Sequence, residues 1–151
     1  MTVQTTATLR TTVPPRHCDA QGAMHSSRYY EYFEDAFLHW LDIHVGRSCQ
    51  PGYAVLRDAG VDLVVASSGC DHHAPVRLGD ALAIEVQPVA AGRTSLTLRF
   101  AIERSRRIRA ATGHTTYVAI SGERGAVPLP DILTIWLDEV SVPGRESDTD
   151  S

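Results

Sequence analysis

The side chains best suited to chemistry lie close together in the sequence, between Asp19 and Ser27. Asp19 is followed by Gly22 and by a short polar loop, His25-Ser26-Ser27, directly before a predicted long helix. A carboxylate can attack a carbonyl carbon or activate water, and the first N–H groups of a helix are unpaired donors with partial positive charge. This arrangement predicts chemistry at an acyl group, with the helix-start amides as donors to the developing oxyanion.

Each of these residues also has a plainer interpretation. Asp19 could be a loop acid that makes only local hydrogen bonds. Histidine exchanges protons near neutral pH, so His25 could orient water or substrate, or it could have no chemical role. Glu31 and Glu34 are expected to be solvated or to face another subunit, although either could reach a substrate.

A long amphipathic helix is predicted from about Arg28 to Val45, with Ser27 as its N-cap and Gly46 at its C-terminal end. Its apolar residues recur at helical spacing and predict one buried face. These residues are Tyr30, Phe33, Phe37, Trp40, Leu41 and His44.

Strands are predicted on both sides of this helix. Gln4–Val13 alternates loosely before it, and Arg47–Gly60 after it reads as a loop or short helix. Four further strands follow as a predicted meander, with the first apolar enough to be interior; they are Val61–Ser67, Ala81–Val89, Arg93–Arg104 and Ile108–Ile120. A short helix is expected over Leu129–Val140. The predicted fold class is α+β, with one antiparallel sheet of about five strands wrapped around a long central helix.

The stretch from Pro15 to Leu41, PRHCDAQGAMHSSRYYEYFEDAFLHWL, resembles the 4-hydroxybenzoyl-CoA thioesterase family of the hot-dog fold. Three features carry this resemblance. They are an acid followed three residues later by glycine, a polar loop, and a helix that opens with an aromatic residue and contains an acid. The turn Pro75–Asp80 before a strand extends it, so that it covers roughly residues 5 to 140. The resemblance implies a thioester hydrolase in which Asp19 is the catalytic carboxylate, with its active site at a dimer interface.

Candidate substrate-binding residues surround this motif. Gly22 is the flexible point of the loop. The aromatic residues Tyr29, Tyr30 and Phe33 could line an acyl pocket or belong to the core, and His72 and His73 are placed at the mouth of the active site. The arginines Arg104, Arg106 and Arg107 at one hairpin could hold the phosphates of coenzyme A or of a carrier protein's phosphopantetheine arm, or could form an ordinary charged turn.

Composition excludes several classes of function. The 151 residues fit one domain, expected over residues 1–142 with a disordered tail at 143–151. A net charge of -4 argues against binding nucleic acid by bulk electrostatics. All 14 basic residues are arginine, which excludes Schiff-base and P-loop chemistry. Neither a secretory signal nor a membrane span is recognised, so a cytoplasmic location is expected.

No metal or other cofactor is expected, because adjacent histidines in Cys70-Asp71-His72-His73 rarely bind one ion and no zinc-like spacing accompanies them.

The leading hypothesis is hydrolysis of an acyl-CoA or acyl-carrier-protein thioester by a homodimer or homotetramer. A hot-dog hydratase or dehydratase is the alternative enzyme; it pairs Asp with a His five residues later through Asn-Pro, whereas Asp19 and His25 are six apart without Asn-Pro. A non-catalytic module that binds acyl thioesters is the other alternative.

Overall fold

The computed structural model describes residues 6–122, 124–131 and 133. Most of the helix expected over Leu129–Val140 and all of the tail at 143–151 lie outside these residues. The described elements are β1 (Ala7–Thr12), α1 (Tyr29–His44), α2 (Gly52–Asp58), β2 (Asp62–His72), β3 (Ala81–Ala91), β4 (Ser95–Arg104), β5 (Ile108–Ser121) and β6 (Gly125–Ala126).

The strands form one curled antiparallel sheet in the order β1-β3-β4-β5-β2, with β6 paired to β5. Alternation along β4 decides which face is inside, since Leu96, Leu98, Phe100 and Ile102 are all 0% exposed. These side chains pack beneath α1, where Phe33 stacks on Phe100 with ring centroids 4.8 Å apart. The predicted hot-dog fold, a sheet around a long helix, is confirmed.

The predicted four-stranded meander is wrong for its first strand. The meander holds for β3, β4 and β5, but β2 pairs with β5 at the far edge of the sheet. The apolar run of β2 is not interior either, because Val64 and Val65 are 40% and 54% exposed. Apolar alternation predicts that a segment is a strand, but it does not predict which strand pairs with it. The residue types also do not show that the chain crosses from β2 to the opposite side of the sheet before β3.

The buried face of α1 is shifted from the predicted one by a single residue at its start. Tyr29, Tyr32, Phe33 and Ala36 follow the i, i+3, i+4, i+7 pattern and are at most 4% exposed. Tyr30, predicted to be on the apolar face, is 42% exposed, and His44 is only half-buried. Among the described residues, no helix is long and apolar enough to cross a membrane.

One end of the sheet collects all the segments that carry candidate functional residues. The end of β1 meets the start of β3, the end of β4 turns into the start of β5, and the end of β2 lies beside that start. The pairs that show this are Thr12 with Ala81, Ala83 with Glu103, Arg104 with Ile108, and His72 with Ala111. The loop after β1 and the first turn of α1 lie at the same end, because the Tyr29 ring contacts the His72 ring.

Candidate active site

Asp19 lies in a tight hairpin between β1 and α1. Cys18 and Met24 form an isolated antiparallel bridge at its base. The Asp19 N–H donates to the Ala23 carbonyl at 2.9 Å, and the Gly22 N–H donates to the Asp19 carbonyl at 3.0 Å. Gly22 has a φ of 82°, a left-handed conformation that glycine adopts without steric cost. The glycine that the motif requires is therefore the residue that closes the turn.

The Asp19 carboxylate is exposed but fixed in orientation. Its Oδ1 atom accepts hydrogen bonds from the N–H groups of Gln21 at 2.9 Å and Ala23 at 3.0 Å. The local loop bonds of the plainer interpretation thus exist. Within the described part of the chain they occupy only Oδ1, and Oδ2 accepts no hydrogen bond there. The loop therefore holds one carboxylate oxygen and leaves the other available to a substrate or water.

The predicted turn at Pro75–Asp80 supports this hairpin. The Met24 N–H donates to the Val76 carbonyl at 2.8 Å, and the Leu78 N–H donates to the Gly22 carbonyl at 2.8 Å. Asp80 closes the turn by accepting from the Arg77 N–H at 2.8 Å. Two motif segments more than fifty residues apart are thus one hydrogen-bonded unit.

The start of the helix differs from the prediction. A single 3-10 turn, Ser26–Arg28, precedes α1, and no side chain caps either helix, so the assignment of Ser27 as N-cap is wrong. The Arg28 N–H donates to the His25 carbonyl at 3.0 Å. The first two N–H groups of a 3-10 turn have no partner within it. The amides of Ser26 and Ser27 therefore remain as potential donors, whereas that of Arg28 is already used.

The side chains of His25, Ser26 and Ser27 are all exposed beside this turn. The His25 N–H donates to the His17 carbonyl at 3.0 Å, which adds a rung to the hairpin below the Cys18–Met24 bridge. His25 is thus positioned by its backbone, and its imidazole faces solvent. Asp19 and the two free amides belong to the same short segment of ordered chain.

The two adjacent histidines have different surroundings. The His72 ring packs edge-on against Tyr29 with centroids 4.5 Å apart. His73 hydrogen-bonds through Nε2 to the Thr112 hydroxyl at 2.9 Å, and its N–H donates to the Ala110 carbonyl at 2.8 Å. His72 therefore faces α1, while His73 is tied to β5.

An uncovered strip of sheet runs beside α1. Gly113 faces α1, because a Cβ atom built there would overlap the Phe33 ring. Residues paired across neighbouring strands share a face, so the β2 residues opposite Gly113 and its alternate neighbours face α1 as well. This open strip consists of Val65, Ser68, Cys70 and His72, of which only Cys70 is half-buried and the others are exposed.

Glu34 borders the open strip at its far end, a contact that the sequence did not reveal. The Tyr117 hydroxyl donates to Glu34 Oε2 at 2.8 Å, and Tyr117 pairs with Val65. Burial and the neighbouring Glu34 charge raise the pKa of Tyr117 above its usual range, so the hydroxyl stays protonated. Alternation along β5 places Tyr117 inside, but no local signal pairs it with a residue 83 positions away.

The aromatic candidates separate into core and surface. Tyr29 is 4% exposed and Phe33 is 1% exposed, and Phe33 fills the centre of the core against Phe100. Tyr30 lies one helical turn before Glu34, on the same side of α1. Of the three, the structure brings Tyr30 to the surface and places Phe33 away from it.

The arginine hairpin borders a groove of about 870 Å³ on the opposite face of the sheet, away from α1. Arg106 and Arg107 adopt left-handed φ values of 68° and 57°, which are unusual for residues with a side chain. The Arg104 Nε atom is buried without a hydrogen-bond partner among the described residues. The charged residues of the groove are Arg10, Arg104, Arg106, Arg107, Arg109, Glu85 and Glu103.

Residues 13–137 match the family model of the Thioesterase-like superfamily, and the chain belongs to this family. A curated protein of Aquifex aeolicus (strain VF5), named "Putative esterase", is 29% identical over 84 residues; the match spans 56% of the chain and 62% of that protein. The fold is similar to that of a 1,4-dihydroxy-2-naphthoyl-CoA thioesterase from Synechocystis, with a TM-score of 0.78, 20% identity, and coverage of 91% and 99% of the two chains. A Staphylococcus aureus protein solved in complex with CoA has a TM-score of 0.80 and 16% identity, with coverage of 91% and 84%. Membership supports thioester hydrolysis in general; the specific 4-hydroxybenzoyl-CoA family is not identified by these similarities.

Proposed function

We propose that the protein hydrolyses an acyl-CoA thioester, with Asp19 as the catalytic carboxylate. The observation that carries this proposal is the hairpin itself: it fixes Asp19 through Oδ1, leaves Oδ2 open, and continues into a turn with two free amides. A carboxylate and oxyanion donors are the groups that acyl transfer requires.

Two routes follow from this arrangement. Asp19 Oδ2 can attack the thioester carbonyl carbon, so that the C–S bond breaks, the thiolate leaves, and water hydrolyses the resulting anhydride. Alternatively Asp19 can take a proton from water as the water attacks the carbonyl carbon; the C–S bond then breaks, and the leaving thiolate takes up that proton. In either route the Ser26 and Ser27 N–H groups would stabilise the negative charge on the carbonyl oxygen. His25, exposed beside them, would orient the attacking water.

Coenzyme A is the proposed thiol carrier in preference to a carrier protein. The arginine groove has a volume typical of small-molecule sites, and five guanidinium groups line it against two carboxylates. Planar guanidinium groups suit phosphates well. A carrier protein's arm has one phosphate, whereas coenzyme A has three and an adenosine to fill a groove. The CoA bound to the similar Staphylococcus aureus protein is consistent with this choice.

The proposed acyl group is aromatic and carries a polar substituent. The open strip begins near Tyr29 and His72, beside the Asp19 hairpin, and ends at Val65. Tyr30 offers an exposed aromatic face along it, and Glu34 offers a carboxylate oxygen at the end. A hydroxyl on the acyl group could donate to Glu34. The similar Synechocystis enzyme acts, by its name, on a dihydroxynaphthoyl thioester.

A homodimer is proposed to complete the site. The edge of β2 has no partner strand among the described residues, and its exposed valines would be covered by a second copy. The second copy would also close the open strip and exclude water from the acyl group. A tetramer would require a further surface in addition to this edge.

Release of free thiol from acyl-CoA substrates tests the proposal. The panel includes aromatic substrates with and without a hydroxyl, and aliphatic substrates. Asp19→Asn and Asp19→Ala are expected to lower kcat by roughly 100-fold or more, while Asp58→Asn, at an exposed acid on α2, serves as the matched control. Variants as active as the wild type would show that Asp19 is not the catalytic carboxylate.

The same assay separates the alternatives. An inert wild type that still binds acyl-CoA in calorimetry would indicate a non-catalytic binding module. Addition of water to an enoyl-CoA without thiol release would indicate a hydratase. Neither the Asn-Pro element nor the Asp-His spacing of the hydratases is present in the sequence, so thiol release is the expected result.

A further inference from the structure

His17 lies at the base of the Asp19 hairpin and is joined to three different segments. Its N–H donates to the Pro14 carbonyl at 3.1 Å, and its carbonyl accepts from the His25 N–H at 3.0 Å. Its Nδ1 atom hydrogen-bonds to the Tyr32 hydroxyl at 2.7 Å, with the two rings edge-on at 5.5 Å. One residue thus connects the entry and exit of the hairpin to the helix.

The hairpin has two supports, one on each side. On the sheet side, Met24 and Gly22 bond to the turn at Val76 and Leu78. On the helix side, the side-chain hydrogen bond between His17 and Tyr32 joins the segment 15–25 to α1. Tyr32 is 4% exposed and fixed in the helix, so it offers a rigid attachment point.

We propose that the Tyr32–His17 hydrogen bond sets the position of Asp19 relative to the helix-start amides, which makes His17 a positioning residue. The inference rests on the proposed thioester hydrolysis for its effect on rate. The physical reason is that Asp19 lies in the hairpin while the oxyanion donors lie in the turn that leads into α1, so their separation depends on how the hairpin is held against the helix. A displacement of about 1 Å between reacting groups can cost about 100-fold in rate.

Either partner can be the donor of this hydrogen bond, depending on which His17 ring nitrogen carries the proton. Burial, with the nearby acidic groups Asp35 and Glu31, raises the pKa of Tyr32, so the hydroxyl keeps its proton and can donate to Nδ1 or accept from it. Both polar atoms of an asparagine amide are attached to Cγ, as Nδ1 is, so that amide can accept or donate the same bond. Alanine at residue 17 and phenylalanine at residue 32 each remove one of the two partners.

The test combines four variants with a control. Tyr32→Phe, His17→Ala, His17→Asn and the double variant His17→Ala/Tyr32→Phe are compared with Tyr53→Phe, which removes an exposed hydroxyl from α2. Thiol release gives kcat and KM, and amide hydrogen exchange reports the opening of residues 17–25 without any substrate. Thermal unfolding shows whether a variant has lost overall stability.

Tyr32→Phe and His17→Ala are each expected to lower kcat about tenfold with little change in KM, and the double variant to fall no further, because one bond is lost in all three. His17→Asn should recover at least half of the lost kcat. Exchange at 17–25 should accelerate in both single variants and not in Tyr53→Phe.

Additive effects in the double variant, unchanged kcat and exchange, or a loss that follows the unfolding temperature would each overturn the proposal. If the wild type hydrolyses no thioester, the proposed function is wrong. Amide hydrogen exchange then still shows whether the Tyr32–His17 bond holds the hairpin in place. Faster exchange at 17–25 in Tyr32→Phe would then uphold the support of the hairpin, and unchanged exchange would overturn it.

Discussion

Gly113 shows how closely α1 lies on the sheet. It faces the ring of Phe33, and a Cβ atom added to it would overlap that ring and lie 2.8 Å from the Gly69 carbonyl oxygen. Phe33 is 1% exposed and has little room to move, because its ring is stacked on Phe100 within the core. Glycine is therefore required at residue 113 for the approach of helix to strand, although its backbone conformation is an ordinary extended one.

Gly113→Ala is expected to destabilise the protein by about 1–3 kcal/mol, the range for overpacking a filled core. Gly122→Ala is the matched control, since a Cβ atom there meets nothing within 4 Å, and a change within about 0.5 kcal/mol is expected. Urea unfolding followed by circular dichroism measures both. Equal free energies of unfolding for the two variants would show that α1 can move away from β5.

The local structural role of Asp19 leaves room for its proposed chemical role. Its Oδ1 closes the loop by accepting from Gln21 and Ala23, as an ordinary loop acid would. The type of residue and the glycine three positions later were enough to predict its place. The sequence did not show that, among the described residues, Oδ1 alone accepts hydrogen bonds, because that depends on the exact path of the loop.

At the scale of elements, periodicity predicted nearly every strand and the long helix to within a few residues. The partner of β2 and the exposure of its valines were missed, since pairing depends on a connection that leaves no pattern. The 3-10 turn before α1 was also missed, because Ser27 has the residue type of an N-cap but its side chain makes no capping bond. Contacts such as Tyr117 to Glu34 and Tyr32 to His17 join distant segments and could not be read from spacing.

The arginine hairpin between β4 and β5 is expected to act on the carrier and not on the acyl group. Arg106→Ala/Arg107→Ala should raise KM for an acyl-CoA by about tenfold. A hydrogen bond to a charged group contributes about 1.5–3 kcal/mol, and screening by ions reduces this contribution at an exposed groove. KM for the matching acyl-pantetheine, which lacks the nucleotide, should not change. Arg93→Ala/Arg124→Ala, at exposed arginines outside the groove, is the control.

A rise in KM for both substrates would place these arginines at the acyl end instead. No change for either substrate would support the ordinary charged turn. Raised salt should weaken the wild-type preference for acyl-CoA, since guanidinium–phosphate contacts at an exposed groove are screened by ions.

For the whole molecule, three buried tyrosines link folding to alkaline pH. Burial raises the pKa of Tyr29, Tyr32 and Tyr117 above the usual value of about 10. Above that pH the unfolded chain loses these protons while the folded chain keeps them. The contribution of the three tyrosines to the free energy of unfolding is therefore fully present below about pH 10 and is lost as the pH rises. The absorbance of phenolate at 295 nm should therefore reach its full value for all five tyrosines only together with loss of the far-UV circular dichroism signal. Full phenolate absorbance in a folded protein would contradict this.

The edge of β2 has no partner strand among the described residues, and we expect a second copy of the chain to pair there. Two copies joined through this edge would extend the sheet and cover Val64 and Val65, which are 40% and 54% exposed. Light scattering should give twice the chain mass of 16.5 kDa for the wild type, and Val64→Lys/Val65→Lys should give a monomer with thiol release reduced at least tenfold, because the open strip is then uncovered. Ile43→Lys, at a 55% exposed position on α1, should remain dimeric. If Ile43→Lys instead yields the monomer, the subunits meet through the helix; if neither variant changes the mass, another surface holds the assembly.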